Sequence, residues 1–192
     1  MMERTRINAL MEQASSGDDA AFGALAAAVQ DELFRLACAL GLKRDDAAEA
    51  TQETLLRAYS HRRRWQRGSD AMPWLCGFTV NVVRECLRRE RRKTTFLSAA
   101  RNEAPAGEAI AEDSFSTEGL DAEQLQSLSD AVAELPARQR EAIACRYLRR
   151  MSIREAALAM GCAEGTVKSA VSAALKQLRT VLEHRNETDR SR

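Results

Sequence analysis

The chain has 192 residues, 45% of them apolar and 5% aromatic, and a formal net charge of +1. That length holds one ordinary domain or two small ones, and much of the apolar content is alanine, so each core should be thin. Runs that alternate apolar and polar residues with β-branched side chains are almost absent, which excludes a substantial sheet and leaves an all-α fold.

The opening "MMERTRINALMEQ" lacks a long apolar core, and the longest apolar run, around Ala20–Val29, is too short to span a bilayer. A soluble, cytoplasmic protein without membrane insertion is expected. The first predicted helix takes Asp18 as its N-cap. Phe22, Leu25, Val29, Leu33, Leu36 and Leu40 follow at steps of three and four, and Gly41 suits its C-terminus. A second helix follows Lys43 and Arg44, with Asp45 and Asp46 at its positive end, and runs through "DDAAEATQETLLRAYSHRRRW" to Gly68. A third begins near Ser69 or Asp70, has Pro73 in its first turn and continues "WLCGFTVNVVRECLRRERRK". These three helices are expected to form a first domain over residues 1–93.

From 94 to 124 the periodicity dissolves into an acidic stretch of small residues with Pro105, the composition of a flexible linker. A second helical domain is expected over 125–185. Leu125, Leu128, Val132 and Leu135 form one stripe, and Pro136 starts a helix carrying Ile143, Tyr147 and Leu148. Ser152 and Glu155 fit a capping box. The turn "MGCAEG" then leads into "TVKSAVSAALKQLR", where Val167, Val171, Ala174, Leu175 and Leu178 recur on one face. That is the length and order of a helix-turn-helix. Residues 186–192 read as a disordered tail.

The neutral total conceals a division. Residues 1–93 carry sixteen Lys/Arg against thirteen Asp/Glu, residues 94–127 one against seven, and residues 128–192 twelve against eight. Two mildly basic blocks flank an acidic strip. The five cysteines are scattered, form no C-x-x-C and have no histidine at ligand spacing, so they read as small apolar residues of a reducing compartment. Neither a metal nor a cofactor is indicated. No phosphate-binding loop, zinc-protease or nucleophile-elbow motif is present, and His61 and His184 lack catalytic company, so an enzyme is not expected.

Three constellations remain. Gly165, Thr166, Lys168 and Ser169 open the last helix, where hydroxyls, an ammonium and helix-terminal N–H groups suit DNA phosphates and base edges. The competing reading is a solvated face on a small bundle. Arg84, Arg88, Arg91, Arg92 and Lys93 form a basic stripe on the third helix, suited to a phosphate backbone or simply to water. Trp65 and Trp74 bracket the loop before it, placed either to stack on an unpaired base or to pack inward. On the second helix Asp46, Glu49, Gln52 and Glu53 share a polar face that suits a basic protein surface rather than DNA.

"DDAAEATQETLLRAY" followed by "RGSDAMPWLCGFTVNVVRECLRRERR" resembles region 2 of the extracytoplasmic-function (ECF) sigma factors of bacterial RNA polymerase. "ELPARQREAIACRYLRRMSIREAALAMGCAEGTVKSAV" is similar to their region 4. The resemblance implies a factor that binds core polymerase and directs promoter recognition, melting and initiation. It implies that Asp46, Glu49, Gln52 and Glu53 grip the β′ clamp helices, and that the rear domain meets the β flap. It gives Arg67, Trp74, Asn81, Arg84 and Arg88 to the −10 element, and Gly165, Thr166, Lys168 and Ser169 to the −35 element. An anti-sigma factor is a further implied partner. Ala170 and Ala173 stand where the family often has arginine, and Ala156 and Ala159 where it has larger apolar residues. Thr51 replaces an apolar residue, and the loop before Trp74 is one residue short. Two other readings are a stand-alone helix-turn-helix regulator and a degenerate sigma-like protein that sequesters an anti-sigma factor.

Overall fold

The computed structural model describes residues 2–98 and 122–190, and among these residues there is no strand. The front module comprises α1 (Met2–Ser15), α2 (Asp19–Ala39), α3 (Arg44–His61) and α4 (Ala71–Ser98), with a 3-10 turn at Arg62–Arg64. The rear module comprises α5 (Ala122–Ala133), α6 (Ala137–Ile143), α7 (Ile153–Met160) and α8 (Glu164–Arg190), with one π turn at Ala144–Leu148. The segment expected as a linker lies mostly at 99–121, outside the described residues, as does the side chain of Leu125.

Local chemistry sets the helix ends. The Asp18 carboxylate accepts from the Ala21 N–H at 3.0 Å, as its N-cap role requires. Ser152 and Glu155 complete the expected capping box at α7. Gly161 follows α7 with φ 61°, a left-handed conformation that glycine adopts at little cost and that turns the chain into α8. Helix α1 was not expected: Ile7, Met11 and Ala14 fall at helical spacing and are buried, and Asn8 Oδ1 accepts the Ala71 N–H at 3.0 Å, so α1 caps α4.

Two sequence boundaries move. Helix α4 continues past Lys93 to Ser98, and α8 continues to Arg190 through most of the expected tail. The sequence offers no Gly or Pro in either extension to stop the helix. Leu175, expected on the inward face of α8, is 44% exposed, and Tyr147 is also exposed. Val167, Ala174 and Leu178 carry the inward face of α8 instead.

The packing of the two modules exceeds what the sequence reading expected. One continuous apolar core runs from Ile7 and Leu33 through Leu75, Cys76 and Val80 to Cys145, Ala156, Met160 and Val167. A smaller cluster around Val132, Leu135, Ile143 and Leu178 belongs to the rear module alone. Helix α7 lies directly on α4 at Gly77, where an added Cβ would sit 3.6 Å from the Ala159 carbonyl oxygen. Ala156 and Ala159 are fully buried there. Their small size leaves no gap, since α4 occupies the volume that larger side chains would fill.

Candidate polymerase and nucleic-acid interfaces

The acidic face emerges from the periodicity of α3. Ala47, Ala50, Thr51, Thr54 and Ala58 turn inward, and the Thr51 hydroxyl donates to the Ala47 carbonyl at 2.7 Å, so its burial leaves no unmade bond. Asp46, Glu49 and Gln52 are thereby left exposed. Glu53 is half-buried and accepts from Arg57 Nε at 2.6 Å. The same guanidinium forks onto Glu85 of α4 at 2.8 and 3.0 Å and holds the Glu85 carboxyl below its ordinary range. Glu49, Gln52, Glu53, Glu85 and the exposed Leu56 thus line a shallow groove between α3 and α4. Leu56 is an apolar knob in a groove that carries three carboxylates and the guanidinium groups of Arg57 and Arg89.

The loop and first turns of α4 bring the expected −10 residues to one side. Arg67 is exposed and donates to Ser16 Oγ at 2.8 Å. Trp74 is half-exposed and meets Phe78 edge-on, ring centroids 4.8 Å apart, while Trp65 is the tryptophan that packs inward. Asn81 is exposed one turn later. Trp74, Phe78 and Asn81 line an open cleft of about 540 Å³ whose far wall is Arg154 and Leu158 of α7. Arg88 is exposed and donates to the Arg84 carbonyl at 3.2 Å. Arg84 behaves differently. It is half-buried and forks onto Glu141 of the rear module, Nε and Nη2 each 2.7 Å from a carboxylate oxygen.

In the rear module Val167 is buried while Gly165, Thr166, Lys168 and Ser169 are exposed on the first turn of α8. The Ser169 hydroxyl donates to the Thr166 carbonyl at 3.0 Å. Ala173 is exposed, and Ala170 is half-buried against the apolar core. The cysteines are free: Cys38, Cys76 and Cys145 are buried, Cys86 and Cys162 half-buried. Burial pushes the Cys145 thiol up to about 12, which suits a small apolar role. Among the described residues no cluster could hold a metal ion, and no helix is long and apolar enough to cross a membrane.

An exposed acidic face, a basic aromatic-lined helix and a helix-turn-helix define a two-module all-helical protein. Residues 25–93 match the family model described as Sigma-70 region 2, and residues 125–178 that described as Sigma-70, region 4. The ECF RNA polymerase sigma factor SigL of Mycobacterium tuberculosis is 36% identical over 175 residues, covering 88% of this chain and 94% of that protein. SigC of the same species is 30% identical over 168 residues, covering 88% and 86%. Among solved structures, RpoE of Bartonella quintana, in complex with the anti-sigma factor NepR, aligns with a TM-score of 0.62 at 29% identity over 81% of this chain and 92% of that one. CnrH, in complex with the cytosolic domain of CnrY, shares the fold with a TM-score of 0.68 at 23% identity over 93% and 98%. The chain belongs to the ECF sigma factors of RNA polymerase. The stand-alone regulator and the degenerate sequestering module are not favoured.

Proposed function

We propose that this chain is the promoter-specificity subunit of a bacterial polymerase holoenzyme, acting in the cytoplasm and making or breaking no covalent bond itself. The exposed acidic face of α3 docks on the β′ clamp helices, with Leu56 entering an apolar seam and Asp46, Glu49 and Gln52 pairing with basic residues around it. The rear module meets the β flap and presents Thr166, Lys168 and Ser169 to the −35 duplex. Trp74, Asn81 and the basic side of α4 hold the unpaired −10 strand, Arg67 flanking it. An anti-sigma factor is the proposed cellular restraint, supported by the NepR complex of the RpoE relative.

The carrying observation is the exposure of three acidic or amide side chains on α3 beside a groove with an uncovered leucine. Leu56, 63% exposed, adds an apolar contact to this polar face. Glu49 offers the clean test because, unlike Glu53, it is not tied to Arg57. Glu49→Lys should abolish retention of core polymerase on the immobilised protein while its thermal unfolding stays unchanged. Full retention by a folded variant would contradict the docking face.

A further inference from the structure

The segment 66–70 before α4 runs between two buried anchors, Trp65 and Ala71, and Ser69 and Asp70 line the same cleft as Trp74, Phe78 and Asn81. Within the segment the Ser69 N–H and hydroxyl both donate to the Gln66 carbonyl, at 3.1 and 2.6 Å, and Gly68 makes the turn at φ 77°. Its further ties come from α1. Asn8 Oδ1 accepts the Ala71 N–H at 3.0 Å, one of the terminal donors for which α4 has no partner of its own. The Asp70 carboxylate accepts the Met72 N–H at 3.0 Å through Oδ1 and pairs with Arg4 through Oδ2. Ser16, just past α1, accepts from Arg67 Nη2 at 2.8 Å while its own hydroxyl donates to the Glu12 carbonyl at 3.0 Å.

These ties are unequal. Arg4 and the Arg67–Ser16 bond are exposed, where a polar contact competes with water and contributes little. The Asn8 bond is half-buried, and its donor belongs to Ala71, which is fully buried. A donor left there without an acceptor is costly, so this bond holds the end of the segment most firmly. Arg4 also reaches Glu155 of α7, whereas Asn8 and Ala71 both lie in the front module.

We infer that α1 is a positioning element for −10 recognition: Asn8, through the Ala71 N–H, keeps segment 66–70 and the first turn of α4 in the geometry that discriminates bases. This rests on the −10 assignment of Trp74 and Asn81 above. Selection of a base depends on hydrogen bonds to its edge, which weaken steeply with angle, whereas phosphate contacts fix register and carry no sequence information. Release of the segment therefore lowers discrimination between −10 sequences more than it lowers affinity. Asn8 acts through the backbone of Ala71 and is a positioning residue, not a base contact.

Core polymerase is combined with the wild type or an Asn8 variant on sheared genomic DNA, and transcript 5′ ends are sequenced. The readout is the yield from starts that match the −10 block of the wild-type set, divided by the yield from starts that depart from it at one base. The same ratio for the −35 block is the control. Asn8→Ala removes the acceptor, and Asn8→Asp keeps an oxygen in its place. The −10 ratio of Asn8→Ala should fall by about two- to fivefold, the shift expected when one ordinary hydrogen bond no longer holds a segment, with the −35 ratio unchanged. Asn8→Asp should keep the wild-type ratio. A merely structural role would lower the yield at every start and leave both ratios where they were. An unchanged −10 ratio in Asn8→Ala, an equal fall in both ratios, a fall in Asn8→Asp as large as that in Asn8→Ala, or loss of far-UV helicity in Asn8→Ala would overturn the inference. A wild type that yields no starts of its own would sink the sigma-factor reading and this inference with it; wild-type starts beside an unchanged variant ratio would sink this inference alone.

Discussion

A charged side chain is available to a partner only if its own neighbours leave it so, and α3, α4 and α8 show three degrees of this. Asp46 and Glu49 project freely, Glu53 shares Arg57 with Glu85, and Arg84 is held by Glu141 from 57 positions away. The first state was legible in the sequence because helical periodicity alone decides which residues of α3 face water. The last was not, since a long-range ion pair leaves no periodic trace. Lys168 is exposed on α8, with alanines at 170 and 173 beside it. As a phosphate contact it should act evenly on all promoters. Lys168→Ala should weaken holoenzyme binding to every −35 variant by a similar factor and lower the slope of log affinity against log salt by about one. Fluorescence anisotropy across a salt series checks this, and loss confined to one base pair would make Lys168 a base reader instead.

At the scale of elements, caps were the most readable feature and lateral packing the least. The Ser152–Glu155 box and the Asp18 cap could be written down from spacing, because both bonds are local to four residues. Ser152→Ala removes the acceptor for the Glu155 N–H and should cost about 1 kcal/mol. In a chain of this size that lowers the melting temperature by about 2–4 °C in a calorimetric scan, and no change would mean the box is redundant. Helix α1 carried its signal in Ile7, Met11 and Ala14, a short pattern whose meaning comes from the α2 and α4 surfaces it covers. Leu175 misled in the opposite sense, for it is apolar at an inward-compatible spacing yet 44% exposed.

At the scale of the whole molecule, the division into two helical modules was legible from motif order and charge, and their mutual packing was not. Ala156 and Ala159 are smaller than the resemblance to region 4 implies. In the structure they are what allows α4 and α7 to touch, so the deficit of one module is met by the surface of the other. Such a contact depends on the shape of both surfaces at once, which a pattern read along one helix does not contain. The account's central claim, that this chain directs polymerase to promoters, is tested most directly by transcription in vitro. Core polymerase is incubated with sheared genomic DNA, with and without the protein, and transcript 5′ ends are sequenced. New starts that appear only with the protein, preceded by two shared sequence blocks about 25 base pairs apart, are predicted; the same set of starts in both reactions would contradict the claim.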